Sequence, residues 1–310
     1  MHTLRRSTQA AQRAAYRAYI RPTFDGKKLD QIGQRDVQEW VDNLRGKGLA
    51  PATVRKAYQI MAKIMGAAVD ADVIQRSPCR RIQLPTDEHR EMRFLTAAEV
   101  GRLAEAMDPR YRALVLLGAY GGLRIGEMAG LRKSRVQIPK GLVIVDQTLS
   151  EAAGRLDFQP PKTKASRRSV KLPRSVADEL GAHIGRWSGE GPDGLVFTAP
   201  EGGPLRLATW RRRFWQKAVV AVGLEPLRVH DLRHTAVTLW IATGANAKAV
   251  SVRAGHASVS ITMDRYAHLY GDADEVLASA LEGFYVPAAG RDVHGLCTEP
   301  VQLRPGVAGP

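Results

Sequence analysis

The chain has 310 residues, with 46 Lys or Arg against 31 Asp or Glu, a formal charge of +15. A hydrophobic share of 44% supports globular cores and excludes wholesale disorder, and the length predicts about two domains. Two cysteines, Cys79 and Cys297, exclude a disulfide framework and a Cys-rich zinc site; no apolar run approaches the length that spans a bilayer, the best being Ala113–Ala119, and the absence of a signal-peptide core predicts a cytoplasmic protein.

Residues 1–78 read as a helical domain. Ala10, Ala14, Ala15 and Ala18 make the first segment helix-prone. Val37, Trp40, Val41 and Leu44 recur at i, i+3, i+4 and i+7, predicting a helix over 36–44. Another opens at Pro51, a residue suited to the first turn, with Val54, Ala57, Tyr58, Met61, Ile64 and Met65 as its apolar set. Residues 79–93 are charged, contain Pro85 and lack periodicity, so they read as an interdomain linker.

A second domain is expected over 94–285. It opens with a capping-box pattern from Thr96 to Glu99. Helices follow at about 109–120 and 125–131. Strands are predicted over 141–147, 157–159 and 168–172, with turns at Gly154 and Pro160-Pro161. A helix over 175–187 and a short strand over 195–198 come next, then helices at about 207–222, 230–243, 246–254, 258–268 and 272–285. The Gly- and Pro-containing stretch 286–310 reads as a flexible tail. The fold class expected is mainly α with a small antiparallel β-sheet.

The charge is uneven. Residues 1–93 hold 18 basic and 10 acidic side chains. The segment 160–177 carries Lys162, Lys164, Arg167, Arg168, Lys171 and Arg174 with no acid, and Arg206, Arg211, Arg212, Arg213 and Lys217 lie between Glu201 and Glu225. Basic blocks in both predicted domains point to one shared polyanion, although any single charge run is an ordinary solvated face.

Three clusters could carry chemistry. In GGLRIGE, the double glycine permits a sharp turn ahead of Arg124, with Glu127 three residues on. In RVHDLRHT, His230 and Arg233 share a helix face; an Arg fork binds two phosphate oxygens and a His handles a proton. The third, GHASVSITMDRYAHLYG, sets Tyr266 ten residues after His256. Each has a bland reading: a surface Arg, a capped helix start, and a Tyr packed on one face with Met263 and Tyr270.

In this order the clusters resemble the tyrosine site-specific recombinases, the phage integrase family, over roughly residues 5–285. The resemblance implies a helical core-type DNA-binding domain and an α+β catalytic domain clamping duplex DNA. It implies catalytic roles for Arg124, Lys162, His230, Arg233, His256 and the nucleophile Tyr266, without metal, cofactor or ATP. Lys162 precedes Thr163 as the family's hairpin lysine usually does, and is favoured over Lys164. DNA contacts are expected from Arg55, Lys56, Lys164, Arg167, Arg168, Arg211 and Arg212. A tetramer on paired attachment sites is expected, as is an accessory DNA-bending or excision factor. Residues resembling the core-binding helices begin almost at Met1, which leaves no room here for an arm-site domain. Integration of phage or mobile-element DNA into a bacterial chromosome is the leading function. A chromosome-dimer resolver, a type IB-like topoisomerase and a non-cutting regulator are the alternatives; the GxxxxGK[ST] fingerprint is absent.

Overall fold

The computed structural model describes residues 6–86, 93–152, 154–161 and 163–270, with Ala278, Leu281 and Glu282. The chain divides into two units, Met1–Arg265 and Tyr266–Pro310. In the first, two separate apolar cores form, one from residues 15–74 and one from residues 95–232.

The first core is built by α1 (Arg6–Ala15), α2 (Arg21–Phe24), α3 (Gln34–Gly46) and α4 (Pro51–Asp70). Between α1 and α2, Tyr16–Ile20 winds as a π turn. Ala15 and Ile20 are both buried although five residues apart, a spacing an ideal α-helix would splay by about 140°; the wider turn narrows that angle. On α3 the buried set is Val37, Trp40, Val41 and Leu44, as the periodicity predicts. Trp40 meets Phe24 edge-on and donates through Nε1 to the Tyr19 carbonyl at 2.8 Å. The segment after α4 is tied down. Tyr58 donates to the Cys79 carbonyl at 2.9 Å, Arg55 to the Pro85 carbonyl at 2.7 Å, and Gln83 N–H to Gln38 at 2.8 Å. Residues 87–92 of the expected linker lie outside the described residues.

The second core begins at α5 (Ala97–Ala106), where Thr96 and Glu99 form the expected reciprocal cap. A 3-10 turn, Pro109–Tyr111, leads into α6 (Arg112–Gly121), and α7 (Ile125–Ala129) follows. Two small antiparallel sheets come next. Strands β1 (Val136–Gln137), β2 (Leu142–Val145) and β5 (Arg168–Lys171) form one, in the order β1-β2-β5, with Val143 opposite Val170. Strands β3 (Thr148–Ala152) and β4 (Arg155–Gln159) form a hairpin with Leu149 opposite Phe158. The remaining helices are α8 (Arg174–Trp187), α9 (Leu207–Trp210), α10 (Gln216–Ala221), α11 (Asp231–Ala242), α12 (Ala247–Ala254) and α13 (Val259–Tyr266).

Two expectations are corrected. The single helix over 207–222 is interrupted by a π turn, Arg211–Trp215, which turns both Trp210 and Trp215 into the core. The strand over 195–198 is reduced to isolated bridges, Arg132 with Leu195 and Thr198 with Pro204. Its backbone groups serve scattered partners: Val196 N–H donates to Leu131, the Leu195 carbonyl accepts from Gly189, and His183 Nε2 lies 2.8 Å from the Val196 carbonyl. No continuous ladder can form from such a set.

In the second unit, a 3-10 turn, Ala267–Leu269, follows Tyr266. Ala278, Leu281 and Glu282 are helical and exposed; the rest of the helix expected over 272–285, and the tail 286–310, lie outside the described residues. Among the described residues no helix is long and apolar enough to cross a membrane.

Candidate active site

Helix α11 is buried on every side from Asp231 to Val237, which is why its sequence shows little amphipathic pattern. It packs tightly on α6: a Cβ on Gly118 would come within 2.9 Å of Leu232. Its N-terminus is fixed by Asp231, 2% exposed, which accepts from Arg228 N at 2.7 Å and Arg228 Nη2 at 2.8 Å. This seats Arg233, 3% exposed, where Nη1 donates to the Gly122 carbonyl at 2.7 Å and Nη2 to the Ala254 carbonyl at 2.5 Å.

Gly122 ends α6 in the left-handed region at φ +66, and a Cβ there would lie 2.5 Å from Trp240 Cη2. Glycine is thus required twice, for its φ and for the indole against it. The turn delivers Arg124 as the residue preceding α7. Arg124 N and Nη1 each donate to Glu127 at 2.9 Å, and Nη2 reaches the Gly255 carbonyl at 3.3 Å. Its side chain remains 37% exposed.

Glu127 is 3% exposed and takes a second arginine, Arg168, through two bonds of 3.0 and 3.2 Å, one to each carboxylate oxygen. Burial pushes its carboxyl pKa up, but the Arg168 bonds and the Arg168 and Arg124 charges outweigh this and hold it below the usual range.

Gly255, left-handed at φ +65, ends α12 and leads to His256. His256 is 9% exposed, and its Nδ1 lies 2.8 Å from Thr262 Oγ1 on α13. Burial, with the charges of Arg233, Arg124, Arg265 and Arg168, lowers its pKa to about 4. His230 precedes α11 and stands edge-on to His234, ring centres 4.9 Å apart. His230 keeps an edge in solvent, yet the surrounding protein lowers its pKa, with Arg233 and Arg124 adding to the effect. His234 is pushed to about 4, by burial and then by His230.

Arg124, His230, Arg233 and His256 line one open cavity of about 530 Å³, joined by Arg265, by Thr148, Ser150 and Gln159 of the β3–β4 hairpin, and by Ser7 of α1. Tyr266 follows Arg265 in the chain as the last residue of α13. Tyr266 is 1% exposed, as a packed tyrosine would be, whereas Met263 is 38% exposed. Arginine, imidazole and hydroxyl donors facing one space suit a tetrahedral oxyanion such as a phosphodiester. Among the described residues no group of three or more His, Cys, Asp or Glu could hold a metal ion.

The other expected residues are scattered. Lys162 lies outside the described residues, and Lys164 opens a 3-10 turn, Lys164–Ser166. Arg167, Arg211 and Arg212 are exposed. Lys56 lines an open groove with Ser7, Gln12 and Lys63, between α1 and α4. Arg55 is half-buried on Pro85. Arg168 is a correction: expected on DNA, its side chain is 4% exposed and committed to Glu127. The basic run shows a charge but not its direction, and a buried carboxylate turns this one inward. Glu127, three residues after Arg124, stands at the N3 position of α7 and caps its start. Nothing in the sequence singles out Thr262, Trp240 or Arg265.

A model described as the phage integrase family matches residues 93–272, and one described as phage integrase, N-terminal SAM-like domain matches residues 1–45. A putative prophage phiRv2 integrase of Mycobacterium tuberculosis is 27% identical over 277 residues, covering 88% of this chain and 73% of that protein. The integrase of Mycobacterium phage L5 is 28% identical over 236 residues, covering 74% of this chain and 62% of that protein. In fold, the chain resembles the Tn1549 transposon integrase solved in complex with a circular intermediate DNA (TM-score 0.77, 20% identity, 92% of this chain, 95% of that one). It also resembles a lambda integrase dimer bound to a COC′ core site (TM-score 0.65, 17% identity, 88% of this chain, 91% of that one). With its cavity-lining arginines and histidines inside a match that spans more than half of its length, the chain belongs to the phage integrase family.

Proposed function

We propose that this tyrosine recombinase joins phage or mobile-element DNA to a bacterial chromosome by metal-free transesterification at the cavity of Arg124 and Arg233. The observation that supports the reading is that both guanidinium groups line one space together with His230 and His256. Each arginine holds non-bridging oxygens of the scissile phosphate through charge-assisted bonds that strengthen as negative charge builds on them. A phenol is protonated at neutral pH, so attack requires a base. Tyr266 Oη bonds to phosphorus while the bond from phosphorus to the 5′-oxygen breaks. The phenol proton passes to a site imidazole, and Lys162 gives a proton to the departing 5′-oxygen. The product is a 3′-phosphotyrosyl link and a free 5′-hydroxyl. The link retains the ester energy, so a 5′-hydroxyl from the partner duplex reverses the step without ATP.

His256 suits phosphate contact and proton transfer. With Nδ1 engaged by Thr262, its Nε2 is left to donate to a phosphate oxygen in one tautomer or to accept a proton in the other. The two apolar cores act as a core-site DNA-binding domain over 1–78 and a catalytic domain over 94–285, joined by 79–93. Lys56, Lys164, Arg167, Arg211 and Arg212 contact backbone phosphates. Four protomers act on paired attachment sites in the bacterial cytoplasm, with a DNA-bending or excision factor setting direction.

Covalent trapping tests the reading. Nicked suicide duplexes drawn from DNA flanking the gene are incubated in EDTA with wild type and with Tyr266→Phe. The expected result is a protein–DNA adduct with wild type only. An adduct with Tyr266→Phe removes the tyrosine from its role, and a requirement for divalent metal overturns the mechanism.

A further inference from the structure

Arg168 spends its donors inside the protein. Nε donates to the Arg253 carbonyl at 2.8 Å, Nη1 to the Ser166 carbonyl and Glu127 Oε1 at 3.2 Å each, and Nη2 to Glu127 Oε2 at 3.0 Å. Three chain segments therefore meet at one guanidinium. The first is the start of α7, where Glu127 also grips Arg124. The second is the loop before β5, folded on itself by Ser166 N–H to the Thr163 carbonyl at 3.1 Å and by the Thr163 and Ser166 hydroxyls at 2.9 Å. The third is the end of α12, which carries Gly255 and His256. The fit there is close: a Cβ on Gly255 would lie 3.1 Å from the Ala165 carbonyl oxygen and 3.1 Å from Arg168 Nη1.

A buried ion pair is poor value as a source of stability, because desolvation cancels much of its attraction and apolar side chains of like volume hold a core as well. What a forked guanidinium adds is direction, since two parallel bonds fix the plane of the carboxylate they grip. Glu127 transmits that plane to Arg124 through its own pair of bonds. We propose that Arg168 is a positioning residue: through Glu127 it aims Arg124 at the scissile phosphate, and it clasps the loop that follows Lys162 to the segment that carries His256. This inference rests on the recombinase reading given above for the cavity.

The test uses the full chain carrying Arg168→Lys, which keeps a positive charge beside Glu127 but loses the fork. The probes are the nicked duplex and inorganic phosphate. At saturating protein, the single-turnover rate of adduct formation is expected to fall about 100-fold, the scale of a small misplacement of a reacting group. Affinity for the duplex in a gel shift stays within about twofold, because Arg168 presents nothing to DNA. The rise in melting temperature that phosphate gives wild type is reduced. A rate within about threefold of wild type overturns the proposal and leaves Arg168 a fold-stabilising residue. Should Arg168→Lys not fold, Arg168→Gln, which leaves Glu127 paired with Arg124, is judged by the same criteria. Should wild type give no adduct, the recombinase reading fails on its own account. The phosphate arm then decides this inference, and protection undiminished by Arg168→Lys overturns it.

Discussion

Arg233 Nη1 donates a 2.7 Å hydrogen bond to the carbonyl of Gly122, the left-handed residue that ends α6. One buried catalytic candidate is thus aimed by a peptide group whose own orientation depends on the absence of a side chain. The indole of Trp240 fills the space where a Cβ would stand. It is held from two sides, by Nε1 donating to the Tyr120 carbonyl at 3.1 Å and by the Arg253 guanidinium stacked 4.6 Å from its ring centre. Gly122→Ala is expected to cost about 1–2 kcal/mol for the left-handed backbone, with the clash against Trp240 added. For a domain of this size that lowers the melting temperature by about 5 °C or more. A melting curve unchanged from wild type would show that the indole yields freely and that Gly122 does not fix Arg233.

Arg124 differs from Arg233 in being partly open to solvent, so it can be removed with less damage to packing. Arg124→Ala leaves Glu127 paired with Arg168, and the fold should hold. Adduct formation is expected to drop by about 100- to 1,000-fold, the usual loss when one oxyanion donor is removed, while duplex affinity falls only slightly. The comparison of single-turnover rate with gel-shift affinity checks this. Equal losses in both would make Arg124 an ordinary backbone clamp.

Where one residue pattern met one local rule, the sequence was enough. Val37, Trp40, Val41 and Leu44 lie on the buried face of α3, and Thr96 caps α5 through Glu99. The site clusters were legible because each is a short run at a forced backbone position: Gly122 before Arg124, Gly255 before His256, and the start of α11 beneath His230 and Arg233. What failed depended on partners distant in the chain. Arg168 looked like its basic neighbours until Glu127, 41 residues away, turned it inward. The π turn at Arg211–Trp215 answers a demand of the core, burial of both Trp210 and Trp215, that no propensity in RRRFW announces. Thr262 is one threonine on a weakly patterned helix, and only the fold sets it 2.8 Å from His256.

The hairpin lysine is separable by chemistry. If Lys162 supplies the proton to the leaving 5′-oxygen, Lys162→Ala should be slow on ordinary DNA and restored on a duplex with a 5′-phosphorothiolate at the scissile position. A thiolate leaves without a proton, so the general acid is no longer needed. Lys164→Ala should show a weaker defect, most visible at higher salt and without rescue by sulfur, as befits a phosphate contact. Rescue of Lys164→Ala alone would move the general acid two residues along.

The histidines give the protein a pH dependence of definite sign. His234 and His256 titrate at about 4 in the fold, below the ordinary imidazole value of 6.5, because burial and nearby arginines disfavour the charged ring. His183, buried beside Val196, and His230 are shifted the same way. Between pH 6.5 and 4 the unfolded chain therefore binds more protons than the folded one. Stability is full above that window and falls as the pH drops through it, by up to about 3 kcal/mol for each fully depressed ring. A phosphate in the cavity opposes the shift of His256, since a nearby anion favours the imidazolium. Duplex DNA should then be bound with proton uptake, and it should raise the melting temperature more at pH 5 than at pH 7. Melting curves at the two pH values, with and without duplex, measure both effects. In His256→Gln the acid limb should be shallower and the extra DNA protection at pH 5 smaller. A melting temperature that does not fall from pH 7 to pH 5 would mean that these rings charge without cost inside the fold. Equal DNA protection at both pH values would place the bound phosphate away from His256.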